Sequence, residues 1–168
     1  MKKKLTLIIL ALVAVFAMQG LAVAAEPIDA VKANISKYVG EAKASVPSIT
    51  VEVLAAKMAE TDEYFELVDV RGADEYEAGH LADALWAPRG KAEWIIPGNI
   101  KDPNTKIYIY CKAGSRGALV AKMLIDAGYT NVTNVTGGFG AWAKAGYPFY
   151  NAHGEVVVTK GGYGKKPE

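Results

Sequence analysis

"YCKAGSRGA", residues 110–118, holds the only cysteine of a 168-residue chain. Before it, "KIYIY" (106–110) is a short run of β-branched and aromatic residues, the composition of a buried strand. After it, residues 116–127 place Leu119, Val120, Met123 and Leu124 at helical spacing, and Gly128 supplies the stop. Strand, tight loop and helix in that order make a βα unit, and the loop lies at the carboxyl end of its strand.

The same punctuation recurs on both sides. "YFELVDV" (64–70) reads as a buried strand, "RGADEYEAGH" (71–80) as a turn and short helix, and "ALWAP" (84–88) as a strand stopped by Pro88. "KDPN" (101–104) is a turn, "NVTNV" (131–135) another strand, and "GGFGAWAKAG" (137–146) a helix opened by glycines. Upstream, Thr50 is placed to cap a helix with Val53, Leu54 and Met58 on one face. Residues 27–47 suit one marginal helix ending near Gly40, followed by a linker. Short strands alternating with helices imply an α/β domain, with about five strands in a mostly parallel central sheet between two helical layers. Ligands of such sheets gather beyond the carboxyl ends of the strands.

The amino terminus reads as an export signal. Lys2, Lys3 and Lys4 precede an apolar run over 5–18, and the small residues "AVAA" (22–25) offer a cleavage site. The run is shorter than the ~20 apolar residues of a membrane span. The expected organisation is a signal peptide at 1–24, an extension at 25–48, an α/β domain at 49–152 and a tail at 153–168. Cleavage removes three of the 19 basic residues and leaves 16 against 18 acidic ones. No basic stripe remains for nucleic acid, and no stable membrane insertion is expected after cleavage. The expected location is periplasmic or secreted.

A single thiol in an exported chain makes no internal disulfide; it is a buried apolar residue, an intermolecular bridge or a reactive sulfur. Its neighbours favour the last. Lys112, Ala113, Gly114 and Ser115 let the backbone curl so that successive N–H groups converge as an anion-binding nest. The helix that follows adds its positive amino end, and Lys112 and Arg116 add two full charges. All of these favour a thiolate, the nucleophilic form.

Cys111, Gly114 and Arg116 match the Cys-x-x-Gly-x-Arg loop, and here the chain resembles the rhodanese domains, a family of sulfurtransferases. "LVDVRGADEYEAGHLADA" (67–84) is similar to the family's upstream block and "DAGYTNVTNVTGGFGAWAKAGYP" (126–148) to its downstream block. The resemblance implies the three-layer α/β/α rhodanese-like fold. It also implies a persulfide on Cys111, formed from a thiosulfate-like donor and consumed by a thiophilic acceptor, either a small molecule or a protein. No metal or organic cofactor is implied. The loop 112–117, with Lys112, Ala113, Gly114, Ser115, Arg116 and Gly117, would then hold the substrate. Relatives that act as phosphatases or arsenate reductases carry five residues between cysteine and arginine, and this chain carries four.

The remaining polar residues have supporting roles in this reading. Asp69 would tie down loop backbone, Arg71 would pair with an acid of the next short helix, and His80 would be structural. Two histidines, His80 and His153, are too few for a histidine metal cluster. Gly117 stands where relatives often carry a hydroxyl. Trp86 and Arg89 are placed to reshape the mouth of the pocket. The export reading has a direct consequence: N-terminal sequencing of the exported protein should begin at Ala25 or Glu26. A membrane-bound form that retains Met1 would contradict it.

Overall fold

A strand order that places the cysteine-bearing strand at the centre of the sheet organises the molecule. In the computed structural model, which describes residues 26–60, 63–159 and 162–164, the five-stranded sheet runs β1-β5-β4-β2-β3. Its strands are β1 (Ser48–Ile49), β2 (Glu66–Asp69), β3 (Leu85–Trp86), β4 (Ile107–Tyr110) and β5 (Val132–Val135). Every pairing within it is parallel. The chain leaves β2 in one direction and β4 in the other, so the carboxyl end of β4 lies at a topological switch point. The expected signal segment, 1–24, lies outside the described residues.

Side chains that alternate along each strand build two cores. Val68, Val70, Ile107, Ile109 and Val132 face one helical layer, formed by α4 (Ala92–Asn99) and α5 (Ser115–Asp126). Leu67, Tyr108, Tyr110 and Val135 face the other, where α2 (Val51–Ala59) and α6 (Gly138–Lys144) pack. β4 is buried along its whole length, as a central strand covered on both faces must be. The fold is the α/β arrangement expected from sequence.

Thr50 caps α2, accepting the Val53 N–H at its side-chain oxygen. The inward residues of that helix are Val51 and Leu54; Val53, expected on the same face, is 44% exposed. Val51 and Leu54 are spaced i, i+3 on one face, and Val53 lies about 100° round the helix from Leu54.

The described residues divide into two units between residues 35 and 36. In the first, the described residues begin α1 (Ile28–Ser45), with Ile28, Val31 and Ile35 exposed. α1 runs on past Gly40, where the sequence favours a stop. Ala42 (1% exposed) and Val46 (7%) are buried there. Their packing outweighs the roughly 1 kcal/mol that an interior glycine costs.

Two further segments differ from the sequence reading. A 3-10 turn (Arg89–Lys91) and α4 follow β3, with Pro97 inside the helix near its end; Pro97 and Gly98 conceal the helix from local rules. A meander of β6 (Phe149–Asn151), β7 (Gly154–Thr159) and β8 (Gly162–Gly164) follows α6. The boundary expected at 152 therefore falls inside the β6–β7 hairpin, and residues 154–159 are strand.

Loss of the Thr50 cap should destabilise the domain without changing its shape. Thr50→Ala is expected to cost about 1 kcal/mol. Urea unfolding should show this as a lower midpoint at unchanged slope.

Candidate active site

Cys111 follows β4 directly, and its residue is 1% exposed. The Gly114 N–H donates to its Sγ at 3.1 Å. Gly114 is the N-cap of α5 with φ +91°, a conformation that favours glycine. The Ala118 N–H returns to the Gly114 carbonyl. The N–H groups of Ser115, Arg116 and Gly117, at the open first turn, have no acceptor among the described residues. Convergent free N–H groups at a helix amino end make a site for negative charge.

The orientation of that loop is imposed from behind. The Phe139 N–H donates to the Cys111 carbonyl at 2.8 Å and the Gly140 N–H to the Lys112 carbonyl at 2.9 Å. The first turn of α6 thus takes the carbonyls of Cys111 and Lys112 on its own donors, and the Gly114 N–H turns to the sulfur. This contact requires the paired glycines. Gly137 and Gly138 have φ +80° and +54°, and a Cβ at Gly138 would overlap the Cys111 carbonyl oxygen.

Arg116 lies at the start of α5 and donates from Nη1 and Nη2 to both carboxylate oxygens of Glu75, at 2.6 and 2.8 Å. Glu75 also accepts the Gly72 N–H at the start of α3 (Ala73–Ala78). The hydrogen bond with Arg116 holds the Glu75 carboxyl down at about 2. The bond with Glu75 first, and the neighbouring Cys111 after it, raise the pKa of Arg116. Lys112 and Ala113 are exposed beside the loop.

The acid of the short helix therefore pairs with Arg116, which corrects the partner expected for Arg71. Arg71 is 3% exposed and binds Asp69 (0%) through Nε and Nη2. Its Nη2 also donates to the Gly79 carbonyl at 2.6 Å. The guanidinium lies 4.1 Å from the centre of the Phe139 ring and 5.5 Å from that of Tyr110. Asp69 accepts the Arg71 backbone N–H as well. Sequence cannot distinguish the two pairings, because both acids lie within four residues of Arg71.

His80 belongs to the frame. Its Nδ1 lies 3.0 Å from the Tyr76 carbonyl, its ring stacks on Tyr76 at 4.0 Å, and its backbone exchanges two hydrogen bonds with Tyr150. The Trp86 ring stacks on Tyr76 at 5.7 Å and donates from Nε1 to the Arg71 carbonyl. It is 38% exposed. Arg89 is exposed, with its backbone N–H on the Val70 carbonyl. Among the described residues, no cluster of acids, histidines and cysteine is placed to hold a metal.

Asn134 has no counterpart in the sequence reading. It is 2% exposed on β5, and its Oδ1 is a buried atom with no hydrogen-bond partner. A Cβ at position 117 would lie 2.5 Å from that oxygen and 3.4 Å from the Ile109 carbonyl. Gly117 lets α5 settle directly onto the Asn134 side chain, in the space where a larger residue would have to push it aside.

Comparisons with known proteins agree with this geometry. A family model described as Rhodanese-like domain matches residues 50–145. A protein named Sulfurtransferase, from Allochromatium vinosum, is 32% identical over 111 residues, covering 65% of this chain and 99% of that protein. "Putative sulfur carrier protein YrkF" of Bacillus subtilis is 31% identical over 106 residues, 63% of this chain. The chain spans 56% of that relative's length. The solution structure of a rhodanese-like domain from an Anabaena protein superposes with a TM-score of 0.59 at 24% identity. It covers 62% of this chain and 79% of that domain, and bears on the fold alone.

The Glu75–Arg116 pair gives the site an acid limit. Because the Glu75 pKa is lowered from 4.5 to about 2, its contribution is complete above about pH 5 and is lost as pH falls toward 2. Glu75→Gln should cost about 1.5–3 kcal/mol at neutral pH. The difference from the native protein should close on acidification, as read by denaturant unfolding between pH 7 and pH 2.

Proposed function

The chain belongs to the rhodanese-like domain family, and from that premise we propose that it is an exported sulfurtransferase working through a persulfide on Cys111. The thiolate attacks the outer sulfur of a thiosulfate-like anion. The sulfur–sulfur bond of the donor breaks, sulfite leaves with the bonding pair, and the sulfur stays on Sγ. A thiophilic acceptor, cyanide in an assay, attacks that outer sulfur and returns Cys111 to the thiolate. The cycle is covalent catalysis in two half-reactions, with ping-pong kinetics.

The carrying observation is the Gly114 N–H donated to Sγ from a four-residue loop that leads straight into the amino end of α5. The N–H groups of Ser115, Arg116 and Gly117 are unengaged among the described residues. That cradle suits the charge of a thiolate and of a persulfide in turn, and requires no rearrangement between them. Lys112 is exposed at the rim, suited to meet the oxyanion end of an arriving donor. Arg116, fixed by Glu75, keeps a charge beside the sulfur. The basic and apolar segment before Ala25 supports export.

A second reading has support in the relative named as a sulfur carrier and in the burial of Cys111. In it, the domain receives sulfur and passes it to one protein partner with little turnover on small molecules. The two are separated by steady-state turnover with thiosulfate and cyanide, compared with capture of a partner by the persulfidated protein.

Intact-mass spectrometry after exposure to thiosulfate should show one added sulfur, and Cys111→Ser should abolish it together with thiocyanate formation. Lys112→Ala should lower kcat/KM for thiosulfate by roughly ten- to a hundredfold, the value of one charged hydrogen bond. Its effect on the cyanide step should be smaller. Stopped-flow measurement of each half-reaction checks this, and equal losses in both steps would assign Lys112 to organising the loop.

A further inference from the structure

The β6–β7 hairpin lies beyond residues 50–145, where the family model ends. It nevertheless reaches the frame of the active site. Phe149, its first residue, is 2% exposed, and its ring meets the Phe139 ring edge-on at 5.0 Å. On another side it presses against Gly79. A Cβ at position 79 would lie 2.5 Å from Phe149 Cδ2 and 2.6 Å from Cε2.

One neighbour holds the cysteine loop directly, and the other holds Arg71, which lies on the ring of the first. Phe139 gives its N–H to the Cys111 carbonyl and its ring face to Arg71. Gly79 gives its carbonyl to Arg71 Nη2. The hairpin is fixed at the same place by the paired hydrogen bonds of Tyr150 with His80, at 2.7 and 2.8 Å, and by Asn151 Nδ2 on the Ala78 carbonyl.

We propose that Phe149 is a positioning residue for the Cys111 loop. It wedges between Gly79 and Phe139 and so sets the angle at which α6 presents its first N–H groups to the loop carbonyls. Without the ring, Phe139 can turn into the space it leaves, the Cys111–Lys112 peptide tilts, and the N–H groups no longer converge. Misplacement on the scale of 1 Å is enough to cost about a hundredfold in a preorganised site.

The inference rests on Cys111 as the nucleophile of the site, and its test uses no sulfur donor. In the full-length protein, Cys111 is alkylated with iodoacetate and with iodoacetamide, and the ratio of the two rates reports the anion cradle. A failure of sulfur transfer with a normal ratio would count against the proposed function and leave this inference standing. Phe149→Ala should lower the ratio by about tenfold, and Phe149→Leu, which keeps most of the wedge, should stay within about threefold of the native value. Phe65→Ala is the control, since Phe65 packs on Tyr108 at the other end of the sheet; it should leave the ratio unchanged.

Gly79→Ala adds a methyl against the same ring. It should lower the ratio alone and recover when combined with Phe149→Leu. An unchanged ratio in folded Phe149→Ala, verified by near-ultraviolet circular dichroism, would overturn the proposal. Should that variant fail to fold, an unchanged ratio in Gly79→Ala would overturn it equally. An equal loss in Phe65→Ala would also do so, by reducing the effect to general destabilisation.

Discussion

Two hydrogen bonds, from the N–H groups of Phe139 and Gly140 to the carbonyls of Cys111 and Lys112, determine which way the active loop faces. A peptide plane has two polar edges, and anchoring one edge directs the other. The amino end of α6 anchors the carbonyl edge, and the amino end of α5 continues the N–H edge around the sulfur. Two helices therefore contribute to one sulfur in different ways, one as a template and one as part of the pocket. The close approach of Gly138 to the Cys111 carbonyl is the steric condition for this.

Charge is arranged around the same axis. The buried Asp69–Arg71 pair costs desolvation and is compensated by four hydrogen bonds between the two residues, a fifth to Gly79 and a contact with the Phe139 ring. It joins β2, the α3 exit and α6 beneath the loop. Glu75 and Arg116 do the same nearer the surface, tying α3 to α5. Each pair spans elements that would otherwise meet through apolar contact alone. Directional bonds of this kind specify geometry more sharply than burial does.

Four of the five strands were legible in the sequence as short apolar runs bounded by turn residues; β1 (Ser48–Ile49), only two residues long at the sheet edge, was not. The cradle was legible because small residues between a strand and a helix have few other uses. What lay hidden were choices among partners. Residues 69, 71 and 75 can pair in more than one way, and only the fold brings Arg116 to Glu75. Gly40 signals a helix stop that the burial of Ala42 and Val46 overrides. Residues from Asn151 onward gave no period strong enough to reveal a hairpin, since its meaning depends on the contacts of Phe149. The need for glycine at 117, on α5, comes from Asn134, seventeen positions away on β5, whose Oδ1 fills the place of a Cβ.

The burial of Cys111 acts as a sieve on shape. With 1% of the residue exposed, Cys111 is met by the narrow end of a reactant. Anything bulkier has to stay outside, on the side of the exposed Lys112 and Ala113. The interior of the loop then distinguishes partners by their reacting tip, and everything behind that tip is judged by the rim.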